Sequence, residues 1–297
     1  MEKFVIGGSV VLGAAVVATA WWLSATEMVP DSLPVAPPPP ARTAPAMPAQ
    51  APAVQSANGT TLADQVDALI ATHDPHKAFE AYRLLADCAT FNQNGDRLIF
   101  EPDTTPHRDN DGMLPGFRTL TDPEKRHEAA LCATMTERMR QSRLDYLELA
   151  AQAGIPGAAM AQVTEGPFGD RTALAMRPDD PLVKEWKARV QQRLEHIAEE
   201  QADVGVLSYL SAMRTVGSDV FDKDPAQAFR YGVATSLIML ELAGPDNELA
   251  RLYRPDGGLM QNAAASLTVT ERAAQLIEAQ RIANLARARR LQAAPQP

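Results

Sequence analysis

Hydrophobic residues are distributed along this chain in three different ways. From Phe4 to Leu23 twenty consecutive positions carry no charge, and at about 1.5 Å rise per residue a helix of that length spans the roughly 30 Å hydrocarbon layer of a bilayer. Between Met28 and Asn58 bulky apolar residues nearly vanish, and nine prolines, including Pro37 to Pro40, stand among alanines. From about residue 60 the apolar positions return with helical spacing. The clearest case is Leu182, Trp186, Val190, Leu194 and Ile197, whose steps of four, four, four and three draw one core-facing stripe down a long helix.

Start signals support a helical reading of this third part. Asp-Pro occurs at Asp74-Pro75, Asp122-Pro123, Asp180-Pro181 and Asp224-Pro225. Asp accepts from the free backbone N–H groups of a first turn, and Pro at the first helical position loses nothing by lacking its own. Further helices are expected over Leu62 to Ala71, Leu144 to Ala153 and Val204 to Val216. A last one follows Thr268, which has capping-box spacing to Glu271. The interruption is Phe91 to Leu120, rich in Asn, Asp, Gly and Pro and too long for an ordinary helix connection. Leu98, Ile99 and Phe100 suggest a short hairpin arm inside it; no other segment alternates convincingly as a strand.

The order of these parts implies an organisation. Lys3 and the free amine precede the apolar run, Trp21 and Trp22 sit at an interfacial level, and the next basic residue is Arg42, which leaves the N-terminus in the cytoplasm. Residues 1–25 are therefore read as a transmembrane signal anchor crossing at residues 4–23, residues 26–59 as a disordered Pro/Ala-rich tether, and residues 60–293 as an exported helical domain. The alternative is a signal peptide cleaved after Ala18-Thr19-Ala20, which exports the domain equally. Ser9 and Gly13 form a small-xxx-small pair through which two anchors could associate. The Ala-rich composition and export signal suggest a bacterial inner-membrane protein with a periplasmic domain. A tether in polyproline II would reach up to about 95 Å from the membrane at about 3.1 Å per residue.

Charge and cysteine content narrow this further. The 297 residues carry 37 Asp and Glu against 28 Lys and Arg, a formal net charge of -9, so the chain lacks the basic field that holds phosphate backbones and no nucleic-acid partner is expected. Its last helix departs locally, with Arg272, Arg281, Arg287, Arg289 and Arg290 against Glu271 and Glu278, and reads as a solvated face. Cys88 and Cys132 are the only cysteines. In an exported domain they are expected to pair, and closing a loop of about 45 residues removes on the order of 4 kcal/mol of unfolded-chain entropy.

Asp74, Lys77, Ala78, Tyr82 and Ala86 fall in a D-x-x-K-A-x-x-x-Y-x-x-x-A pattern that resembles the second helix of a Sel-like repeat, a relative of the tetratricopeptide repeat. Tyr146, Ala150, Ala151 and Gly154 resemble the aromatic, paired-alanine and closing-glycine positions of the same helix, and Gly157-Ala158 resembles the start of a next repeat. Gly217, Val220, Asp224, Ala228 and Tyr231 resemble another turn and second helix. Small residues let helices approach, an aromatic fills the gap between hairpins, and Gly ends a helix in the left-handed region. The resemblance implies an all-α fold of stacked antiparallel helical hairpins, α-solenoid-like, acting as an adaptor that binds other envelope proteins.

Motifs for chemistry are incomplete. His127-Glu128 begins a zinc-protease motif, but Leu131 stands where its second His belongs. His73 and His76 lack completing ligands nearby, and Asp109-Asn110-Asp111-Gly112 lacks the twelfth-position Glu of a calcium loop, where Arg118 stands. Gly217-Ser218-Asp219 is not a nucleophile elbow. No catalytic, cofactor or metal residue is assigned. Three functional classes follow: an adaptor or scaffold for envelope proteins, an exported enzyme such as a peptidoglycan hydrolase with a carboxylate such as Glu165 near Gly166 and Gly169, and a self-assembling structural component.

Overall fold

The computed structural model describes residues 61–100 and 117–293; the expected anchor, the tether and the 109–112 turn lie outside them. In chain order the elements are α1 (Leu62–Ile70), α2 (Pro75–Asn94), β1 (Leu98–Phe100), β2 (Phe117–Thr119), α3 (Asp122–Cys132), α4 (Glu137–Gln152), α5 (Pro156–Glu165) and α6 (Thr172–Met176). There follow α7 (Pro181–His196), α8 (Val204–Val216), α9 (Pro225–Ala243), α10 (Glu248–Leu252), α11 (Gly258–Ala265) and α12 (Val269–Ala293). A 3-10 turn, Pro167–Gly169, precedes α6, and a π turn, Ile197–Gln201, continues α7. The described chain is thus all-α apart from one small hairpin.

Caps explain most of the starts. Asp74 accepts from the His76 N–H at 2.8 Å, Asp180 from that of Leu182 at 2.9 Å, and Asp224 from that of Gln227 at 3.0 Å. The fourth Asp-Pro behaves differently: Asp122 is already helical, and Thr121 is the cap, with Glu124 accepting from the Thr121 N–H at 2.7 Å. A capping box outcompetes Asp because it satisfies two backbone donors reciprocally. Thr268 and Glu271 form the expected box at the start of α12.

Four differences from the sequence reading have physical causes. α4 begins at Glu137, well before Leu144, because the Thr136 hydroxyl accepts from the Met139 N–H at 3.2 Å. α2 runs through Phe91, which is buried, and stops only where Gly95 adopts φ 69°. In the α7 stripe Val183 takes the place expected of Leu182, which is 58% exposed; Val183 precedes Trp186 by three and shares its face. Helices α5, α6, α10 and α11 carry too few apolar positions to be read from periodicity alone.

The hairpin is small and antiparallel, with Leu98 opposite Thr119 and Ile99 opposite Arg118. Salt bridges hold it to the helices: Arg97 Nε to Glu128 at 2.7 Å, Lys125 Nζ to Asp96 at 2.6 Å and Arg118 Nη1 to Glu124 at 2.8 Å.

Packing joins both sequence neighbours and helices further along the chain. α1 lies on α2, α2 on α3 and α4, α4 on α5, α5 on α7 and α8, α8 on α9, and α9 on α10, α11 and α12. The π turn also touches α12. Two main apolar clusters result. The first, in α1 to α4, contains Leu62, Val66, Leu85, Phe91 and Met135 around Cys88 and Cys132, whose sulfurs are bonded at 2.02 Å across 44 positions. The second is larger and runs from Ala159 to Ala286, with Leu207, Leu210, Phe221, Phe229, Tyr231 and Met260 at its centre. A small cluster around Tyr82, Leu147, Ala150, Ala151 and Ala158 joins α2 to α4 and α5.

Candidate functional site

Helix α7 presents two opposed stripes. Val183, Trp186, Val190, Leu194 and Ile197 face the core, whereas Arg189, Gln192, Arg193 and His196, spaced i, i+3, i+4 and i+7, line a groove against the C-terminal end of α4. That spacing places the four polar side chains on one helical face. The groove is open to solvent and holds about 400 Å³, within the range of about 300–1,000 Å³ typical of ligand clefts.

Backbone irregularities shape its end. After His196 the chain makes the π turn, and Ala202 then adopts φ 54°, a left-handed conformation, while buried. For a residue with a Cβ this costs about 1–2 kcal/mol. The detour swings Gln201 across to α4, where its side-chain amide donates to the Gly154 carbonyl at 3.1 Å. Gly154 has φ 77°, a left-handed conformation that favours glycine at this closing position, whereas a Cβ there would meet only the movable end of the Gln201 side chain. Glu199, two residues earlier in the same turn, is half-buried at the edge of the second core and accepts from the Tyr231 hydroxyl at 3.1 Å and from Arg230 at 3.0 Å.

Charged networks underlie the groove. Arg193 Nη2 donates to Glu148 at 3.1 Å, and Gln162 bonds to both side chains. Burial opposes ionisation of Glu148, yet the Arg193 guanidinium and the donated hydrogen bonds keep its carboxyl below the usual range. Alongside, Tyr82 donates to Glu165 at 3.0 Å, and Arg143 reaches the other Glu165 oxygen at 2.7 Å. Burial, followed by the Glu165 charge, pushes the Tyr82 hydroxyl far up. These networks tie α2 and α4 to α5 and α7, so the groove lies at the seam between the two main clusters.

The residues singled out in the sequence separate into two places. Tyr82, Ala86, Tyr146, Ala150 and Ala151 meet in the small cluster beside the seam, with Tyr146 and Ala86 half-buried, and Gly154 ends α4 next to them. Ala78 is buried on α2. Ala228 and Tyr231 are buried in the second core and do not join the others. No protein-family model, no curated protein and no solved structure matches this chain. Glu165 is held by Tyr82 and Arg143 rather than lying free in a loop, and Glu128 is buried against Arg97. Among the described residues no three His, Cys, Asp or Glu side chains are grouped to hold a metal.

Sequence reasoning missed the groove residues. The signal was present on the same helical wheel that gave the apolar stripe of α7, but its significance depends on the end of α4 lying opposite, which no local pattern encodes. Chemically the lining supplies hydrogen-bond donors and amides. The nearby carboxylate Glu148 is engaged by Arg193, so the arrangement is suited to holding a ligand.

Proposed function

We propose that this chain is an envelope adaptor: a single-pass inner-membrane protein, anchored by residues 4–23 with its N-terminus cytoplasmic. Its periplasmic helical domain, tethered by residues 26–59, stacks hairpins to bind other envelope proteins. The observation that carries the reading is the packing of successive helix pairs, α2 on α4, α4 on α5 and α8 on α9, with an open groove at the seam. The resemblance of the α2, α4 and α9 segments to Sel-like repeats points the same way. The buried Cys88–Cys132 bond suits an oxidising compartment.

The test is chemical crosslinking of the full-length protein in its native membranes, followed by capture, identification and reconstitution. Proteins recovered in stoichiometric amounts that also bind the purified full-length chain support an adaptor. Recovery of the chain alone, as crosslinked multimers, supports a self-assembling component instead.

A further inference from the structure

We infer that the seam groove is the docking site of this adaptor and that the segment it takes is an acidic peptide. The inference rests on the adaptor reading and adds the chemistry of the partner. On a chain of net charge -9, the groove has no Asp or Glu in its lining, while Arg189, Arg193 and His196 stand along one side and Gln152 and Gln201 along the other. The carboxylates that balance these arginines, Glu148 and Glu185, lie outside the lining, so an acidic segment meets only donors inside the groove, while the acidic remainder of the surface repels it elsewhere.

The two arginines have different parts. Arg193 is largely buried and committed to Glu148 and Gln162, so it shapes the floor. Arg189 is 46% exposed, and its carboxylate partner is Glu185 on the preceding turn, at 3.7 Å. An exposed pair of that kind is weak and readily exchanged, which leaves the Arg189 guanidinium able to take a carboxylate bidentately. Gln192 and His196 are exposed on the same face and can bond peptide groups on either side. The π turn, the left-handed Ala202 and the Gln201 bridge shape this wall, and strained backbone of this kind gathers at binding sites.

Purified full-length protein in detergent would be titrated into a fluorescein-labelled twelve-residue Glu/Ser peptide, with Ser/Gly and Lys/Ser peptides of equal length as controls, and followed by anisotropy. The Glu/Ser peptide should bind best and weaken as salt rises, and Arg189→Glu should reduce its affinity by about tenfold or more. An unchanged thermal melt of the variant shows that the surface substitution has not unfolded the domain. Equal binding of the acidic and neutral peptides, or an Arg189→Glu variant that binds like the parent, would overturn the assignment. Crosslinked capture with both proteins separates the two readings. Partners retained by Arg189→Glu as well as by the parent leave the adaptor standing and remove the groove from it, whereas no partner for the parent removes the adaptor itself.

Discussion

The helices α1 to α4 and the helices α7 to α12 solve the same problem of burying helix faces by different means. The first region gathers nine buried residues around the Cys88–Cys132 bond. In the second, 28 buried residues, counting Ala159 and Met160 of α5, form one continuous cluster without a covalent link. Small cores leave little surplus over chain entropy, which is where a crosslink contributes most; a large core has no such need. The disulfide also closes the neck of the segment that carries the hairpin arm, so the unfolded chain loses a long loop's freedom. The seam between these regions is polar, tied by Glu148 with Arg193 and by Tyr82, Arg143 and Glu165, and it is there that the groove opens.

The strongest challenge to this contrast is Phe229→Ala. Phe229 is fully buried in the larger cluster, and its truncation should cost about 3–5 kcal/mol. Hydrogen exchange should then accelerate in α8, α9 and α12 before α1 to α3. Replacing Cys88 and Cys132 together with Ala should cost about 2–4 kcal/mol, with the loss of protection confined to α1, α2 and α3. Equal loss across α8 and α9 would show that the two regions unfold as one unit and that the contrast is empty.

Smaller effects probe the seam. Tyr82→Phe removes a hydroxyl donor from Glu165 and should cost about 1 kcal/mol. Tyr231→Phe, which removes the equivalent donor from Glu199, should cost a similar amount, so a thermal-melt comparison tests whether the two networks are alike. The least effect is expected from acid. Glu148 titrates below its ordinary range in the folded chain, so its contribution is fully present above the unfolded carboxyl value of about 4.3 and is lost as pH falls through the lower folded value. Melts between pH 6 and pH 3 should show this loss, and Glu148→Gln should reduce the slope.

How far the sequence revealed this molecule depended on how local the determining forces were. Asp74, Asp180, Asp224 and the Thr268–Glu271 box announced their helices because capping acts within a few residues. The pairing of Cys88 with Cys132 followed from their number and the expectation that the domain is exported. Thr121 displaced Asp122 as a cap through a reciprocal bond that needed Glu124 as well. The seam was illegible for a different reason. Gln201 reaches Gly154 only because a π turn adds a residue to α7, and Arg193 finds Glu148 across 45 positions of chain. Such contacts depend on how helices stack, whereas the spacing of Arg189, Gln192, Arg193 and His196 is visible in the sequence but has no meaning until α4 is placed opposite.

Site-directed photocrosslinking tests most directly whether the seam is a docking site, as proposed. A photoreactive residue would replace Gln192, which is exposed in the groove, or Gln261, which is exposed on α11, in the full-length protein within intact cells. The expected result is a discrete adduct from position 192, lost when Arg189→Glu is added, and none from position 261. An adduct from position 261 with none from position 192 would contradict it and move the binding surface to the large-core region.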